Sequence, residues 1–172
     1  MSVVENLGAI VAVCDDWGIG EDGDMVVANR ADMRHFVRCT TGRTVIMGRR
    51  TLATFPGARP LKNRRNIVLT RDRSLKVPGA EVAHSVEEAL SFLAPGEEAW
   101  VVGGGVVYRE FLPFCARAVV THNHCLRSCD TFFPDLGNEP GWVMTSQTEP
   151  MPIGAGEGDE GVLFSFAEYR QL

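Results

Sequence analysis

Val101-Val102-Gly103-Gly104-Gly105-Val106-Val107-Tyr108 joins an apolar run to a glycine triplet and then to an amphipathic stretch. Ala99 to Val102 reads as a buried strand, and Val106 to Leu112 as a helix. A strand that ends in glycines and feeds a helix leaves backbone N–H groups pointing outward beside the positive end of the helix dipole. With no Cβ in the way, a phosphate or another backbone can come close. The plain alternative is a sharp turn, and the triplet alone leaves both open.

A second junction of the same kind lies upstream. Thr44-Val45-Ile46-Met47-Gly48 is a short buried strand ending in glycine, and Arg49-Arg50-Thr51 opens a helix after it. Arg64-Arg65 precede the strand Asn66 to Leu69, which ends in Thr70-Arg71. Arginines crowded at strand ends of an acidic chain suggest an anionic ligand, since guanidinium pairs bidentately with phosphate or carboxylate. The bland reading is a set of solvated charges. Alternating βα units of this sort predict an α/β fold with a mostly parallel sheet.

Asp32 is the carboxylate that stands out. Asn29 can cap a helix from Arg30 to about Cys39. Arg30, Arg34 and Arg38 make its polar stripe, and Asp32 falls about 200° around from Arg30 and Arg34. Phe36 and Cys39 share its side, with Met33 adjacent. Two readings follow. Asp32 is either a third-position acid that favours the dipole and reaches back to Asn29, or a functional acid whose proton affinity is raised by desolvation.

The 172 residues suffice for one domain, taken as 1–172. Hydrophobic content of 45% and charged content of 23% are ordinary for a water-soluble domain. A net charge of -5 argues against general nucleic-acid binding, and no apolar run approaches membrane-spanning length. Met1 to Asn6 shows no signal-peptide pattern, and Cys14, Cys39, Cys115, Cys125 and Cys129 are odd in number. Together these predict reduced thiols in a cytoplasmic protein. His122 and His124 with Cys125 and Cys129 fit no standard zinc spacing, so no metal is expected.

Leu7 to Cys14 is a small-residue run suited to a central strand. Asp15 to Asp24 follows as a Gly-rich loop carrying Trp17 and Ile19, either a lid or a plain turn. Ser85 caps a helix through Leu93, Ala118 to Thr121 is a strand, and Val143 to Thr148 and Val162 to Phe166 form a C-terminal β-hairpin across a glycine-rich tip.

In this order the pieces closely resemble the dihydrofolate reductase family: Leu7–Cys14, Trp17–Met25, Asp32, Val45–Thr51, Arg64–Leu69, Val102–Tyr108, Thr121–His122 and Asp130–Pro134. The resemblance spans nearly the whole chain. It implies a mostly parallel eight-stranded sheet with four flanking helices, acting as a monomer on a small molecule. It also implies NADPH along Gly48, Arg49, Arg50 and Thr51 and along Gly103, Gly104, Gly105, Val106 and Val107, with Thr131 nearby. Arg49, Arg50, Thr70 and Arg71 would surround the 2′-phosphate, and Ala12 and Ile19 would touch the nicotinamide. A cis peptide is implied at Gly103-Gly104.

On the substrate side the resemblance implies that Asp32 binds the pterin and helps protonate N5, with Thr121 hydrogen-bonded to its carboxylate. Arg64 would pair with the glutamate tail. Ile10, Met33, Phe36 and Val102 would wall the pterin and aminobenzoyl rings. The expected activity is reduction of 7,8-dihydrofolate to tetrahydrofolate, with the loop Trp17–Met25 as a lid. Rival expectations are a reductase of another pterin or pathway intermediate, and a non-catalytic folate- or NADPH-binding protein.

Two departures mark the chain. Val26-Val27 stands where the family usually has Pro-Trp, and Asn29-Arg30 where it has Leu-Pro. Valine cannot donate the hydrogen bond that the tryptophan makes. Altered kinetics, lid position and antifolate affinity are therefore expected.

Overall fold

Unbroken runs of small and β-branched residues make the strands, and polar stripes mark the helices between them. The structure, a computed structural model, describes residues 2–21 and 23–172. In chain order the first elements are β1 (Val4–Val13), β2 (Gly18–Gly20), α1 (Arg30–Thr40), β3 (Thr44–Gly48), α2 (Arg49–Thr54), β4 (Arg65–Leu69), β5 (Glu81–Ala83) and α3 (Val86–Ser91). There follow β6 (Ala99–Gly103), α4 (Gly105–Phe111), β7 (Cys115–Asn123), β8 (Thr131–Phe132), β9 (Trp142–Gln147), β10 (Met151–Pro152) and β11 (Leu163–Gln171).

The main sheet runs β10-β11-β7-β1-β6-β3-β4-β5, with β9 also on β11, so it holds nine strands where eight were expected. The extra strand comes from the C-terminal hairpin. Its return arm β11 is long enough to pair with β9 over Ala167–Gln171 and separately with β10 at Leu163 and Phe164. A register shift at Glu168/Tyr169 bends that arm.

Contacts divide the chain into two compact units, Met1–Ala9 with Thr40–Cys115, and Ile10–Cys39 with Ala116–Leu172. In the first, β6 pairs in parallel with β1 and β3, β3 with β4, and β4 with β5. Parallel strands covered by crossover helices must be apolar on both faces. Val45, Ile46, Met47, Ile67, Val68 and Val101 are accordingly fully buried. Ser85 caps α3 as expected, its Oγ accepting from Glu88 N–H at 3.0 Å.

In the second unit β7 and β11 pair antiparallel, Phe166 opposite Thr121. The Gly-rich loop after β1 is not a plain loop. Its Gly18–Gly20 segment pairs with β8, and Phe133 N–H donates to Trp17 carbonyl at 2.9 Å. Trp17, at φ 66, sets its indole edge-on to His122 at 5.2 Å and stacks on Phe133 at 6.2 Å. A Cβ at Gly18 would collide with Cys129 Sγ, so this glycine makes room for close packing. Asp22, within the expected lid, lies outside the described residues. No helix among the described residues is long and apolar enough to cross a membrane.

Candidate active site

The first turn of α1 carries the acid. Asn29 Oδ1 accepts from Asp32 N–H at 3.2 Å, the third-position cap bond that the sequence anticipates. The Asp32 carboxylate, however, is hydrogen-bonded to β7. Thr121 Oγ1 donates to Asp32 Oδ1 at 2.5 Å, and both residues are buried, with Asp32 8% exposed. Burial pushes the Asp32 carboxyl above the ordinary aspartate range, and the Thr121 hydrogen bond pulls it part of the way back. A buried acid with one neutral partner holds its proton to higher pH than a free one.

Other α1 residues fall less neatly. Phe36 and Cys39 are half-buried, as the helical stripe requires, whereas Met33 is 47% exposed and lies outside the buried face. Its position, one residue past Asp32, turns it about 100° away. His35, stacked on Phe166 at 4.2 Å, is held below the usual histidine range by burial and then by Arg38. On β1, Ile10 is buried and Ala12 half-buried, two residues apart on one face. Ile19 is half-buried in β2, and Thr131 of β8 donates its hydroxyl to Asp130 at 2.8 Å.

Val27 is only 5% exposed and packs with Cys14, Ile153 and Phe164, and Val26 lies against the same cluster. The Val-Val pair is therefore core. Burying a valine there contributes roughly 1.5–3 kcal/mol.

In the first unit the two glycine junctions meet. The Gly103–Gly104 peptide is cis, as the resemblance implies. A Cβ on Gly48 would stand 3.0 Å from Val107 Cγ2, and one on Gly103, at φ 129, 3.3 Å from Thr51 Oγ1. A Cβ on Gly104 would stand 3.4 Å from that same hydroxyl. Bare backbone beside a hydroxyl suits a nucleotide phosphate chain, and any side chain at these three positions would fill the place. Gly105 and Val107 are buried, Val106 is exposed, and Val102 is half-buried.

The arginines separate. Arg50 and Arg71 are exposed, Arg49 lies 3.5 Å from Asp72, and Thr70 Oγ1 accepts from Asp72 N–H at 3.1 Å. Arg65 is not a ligand cation. It bonds Glu81 at 2.5 and 2.8 Å, Glu97 at 2.8 and 2.9 Å, and the Phe92 carbonyl at 2.9 Å, which ties β4 to β5 and to the segment before β6. Arg64 is oriented instead by Thr40 Oγ1 at 3.1 Å and the Lys62 carbonyl at 2.8 Å.

His122 and His124 are parallel and share one side, but each has a hydroxyl partner, Tyr169 at 2.9 Å and Ser165 at 2.8 Å. All five cysteines are free thiols. Burial pushes Cys14 and Cys115 up to about 12, the reverse of what a reactive thiolate needs.

Residues 6–169 match the family model described as dihydrofolate reductase. The chain belongs to the dihydrofolate reductase family. Among relatives, dihydrofolate reductase type 3 of Salmonella typhimurium is 40% identical over 75% of this chain and 78% of its own. The dihydrofolate reductase of Mycobacterium tuberculosis is 43% identical over 67% of this chain and 70% of its own. The dihydrofolate reductase of Enterococcus faecalis, solved in complex with NADP(H) and RAB-propyl, superposes with a TM-score of 0.83 at 30% identity and 99% coverage of both chains. The sequence reading missed Asn123, which is 3% exposed and accepts from Asn29 Nδ2 at 3.2 Å. Strand alternation held the clue, because Asn123 stands two residues after Thr121 on the same face of β7.

Proposed function

We propose that this chain reduces 7,8-dihydrofolate to 5,6,7,8-tetrahydrofolate with NADPH, and that Asp32 is its acid. The observation that carries the assignment of the acid is the buried Asp32–Thr121 pair. NADPH held on Gly48, Thr51 and Gly103–Val107 would supply a hydride for pterin C6, with a proton taken up at N5 as the N5=C6 double bond becomes single. Asp32 would accept hydrogen bonds from the pterin 2-amino group and N3 and favour protonation at N5. Thr121 holds the carboxylate in one orientation. Ile10, Phe36 and Val102 would supply apolar wall, Met33 an adaptable edge, and Arg64 a bidentate partner for the glutamate carboxylate.

The cofactor's phosphates would lie on Gly48, Thr51 and Gly103–Val107, and Arg49, Arg50, Thr70 and Arg71 would take the 2′-phosphate. Ala12 and Ile19 would meet the nicotinamide, with Thr131 near it. The chain acts as a cytoplasmic monomer on small molecules, with neither nucleic acid nor membrane as partner; its net charge of -5 suits that reading. Loss of NADPH absorbance with dihydrofolate tests the reaction. Turnover dependent on both compounds supports it, and binding of both without turnover contradicts it.

A further inference from the structure

Two buried polar rungs connect the start of α1, including its cap residue Asn29, to β7. One is Thr121 to Asp32 at 2.5 Å, and the other is Asn29 to Asn123 at 3.2 Å. All four residues are buried, with exposures of 2 to 8%. Asn29 and Asn123 are therefore an amide pair in the interior, where an unmatched polar group is costly. The rungs run in opposite senses. Asn29 is the cap residue just before α1 and Asp32 lies in its first turn, whereas 121 and 123 are two apart on one strand face, about 6.7 Å. A single rung would leave the first turn of α1 free to pivot about it. Two rungs set apart along both elements fix both its rotation and its position along β7.

Asn29 has a second task on the same amide. Its Oδ1 caps the Asp32 N–H while its Nδ2 bonds Asn123. One side chain thus links the backbone of the acid to the strand that carries the acid's hydroxyl partner. We infer that Asn29 and Asn123 are positioning residues for the reaction, an interior amide clamp that sets where the Asp32 carboxylate stands on Thr121. The inference rests on Asp32 being the acid.

The test compares Asn29→Ser, Asn123→Leu and the double variant Asn29→Ser/Asn123→Leu with the unaltered enzyme, using NADPH and dihydrofolate. Asn29→Ser keeps a capping oxygen for the Asp32 N–H but not the amide donor, and the double variant removes both buried amides together while keeping that oxygen. The expected result is a fall of about 10- to 100-fold in the hydride-transfer rate for each, with a displaced pH profile and an unchanged KM for NADPH. The double variant should recover thermal stability relative to Asn123→Leu without recovering rate or pH profile. A double variant with the original rate and profile overturns the inference, as does a rate loss in the single variants that only follows loss of folded protein. If the unaltered chain turns over and Asp32→Asn abolishes it while the clamp variants run normally, the clamp alone is wrong. If the unaltered chain does not turn over, the functional reading fails first.

Discussion

Thr121 donates its hydroxyl to Asp32 Oδ1 across 89 residues of sequence, and both side chains are removed from solvent. Two influences on the acid oppose each other there. Desolvation raises its proton affinity and the hydroxyl lowers it, with desolvation the larger; no charged neighbour among the described residues enters the balance. The hydroxyl thus both orients the carboxylate and limits how far burial can push it.

Thr121→Val removes the lowering influence and keeps the shape. The carboxyl then stays protonated to still higher pH, and the falling limb of the rate profile moves to higher pH. A pH series of hydride-transfer rates checks this; a limb that stays in place or moves to lower pH contradicts it.

Asp32→Asn changes stability in a direction fixed by the same shift. A group whose folded pKa is raised favours the folded state below its unfolded pKa, and that contribution is lost as pH rises through the folded value. Asparagine has no such loss. The variant should therefore gain Tm relative to the original chain at neutral pH and lose that advantage at acid pH, as read by thermal melts at both.

Arg50→Gln and Arg71→Gln should each raise the KM for NADPH by about 10-fold, since a charge-assisted hydrogen bond contributes roughly 1.5–3 kcal/mol. Their effect on NADH, which lacks the 2′-phosphate, should be small. Arg49→Gln should matter less, because Asp72 already lies 3.5 Å from that guanidinium. Parallel titrations with the two cofactors separate these outcomes.

Adjacent arginines should behave oppositely. Arg65→Met removes the bonds to Glu81, Glu97 and Phe92 and should lower Tm with both KM values intact. Arg64→Met should leave Tm nearly unchanged and raise the KM for dihydrofolate, with little effect on a pterin that lacks the glutamate. Equal behaviour of the two would contradict the division.

Much of this was legible in the residues. The parallel half announced itself because strands buried on both faces must read as continuous apolar runs, as Val45 to Met47 and Val101 do. Asp32 was visible because helical periodicity placed it opposite the arginine stripe, and Asn29 because capping is local chemistry. What the sequence concealed was long-range pairing. Nothing near Arg65 in the chain announces Glu97, so a structural cation looked like Arg64 beside it. Asn123 needs Asn29, 94 residues away, to become meaningful. Gly18 reads in the sequence only as one glycine of a Gly-rich loop, and Cys129 supplies the atom that its missing Cβ makes room for. The Val26-Val27 pair reads in the sequence as a missing hydrogen-bond donor; that it is also part of a core shows only once Cys14, Ile153 and Phe164 are placed around it.

The most direct measurement is single-turnover hydride transfer from NADPH to dihydrofolate across pH, for the unaltered chain and for Asp32→Asn. Asp32 as the acid predicts a rate that falls with rising pH in the former, and in the latter a rate at least about 100-fold lower at neutral pH with that dependence gone. Equal rates with the same pH dependence would contradict the account.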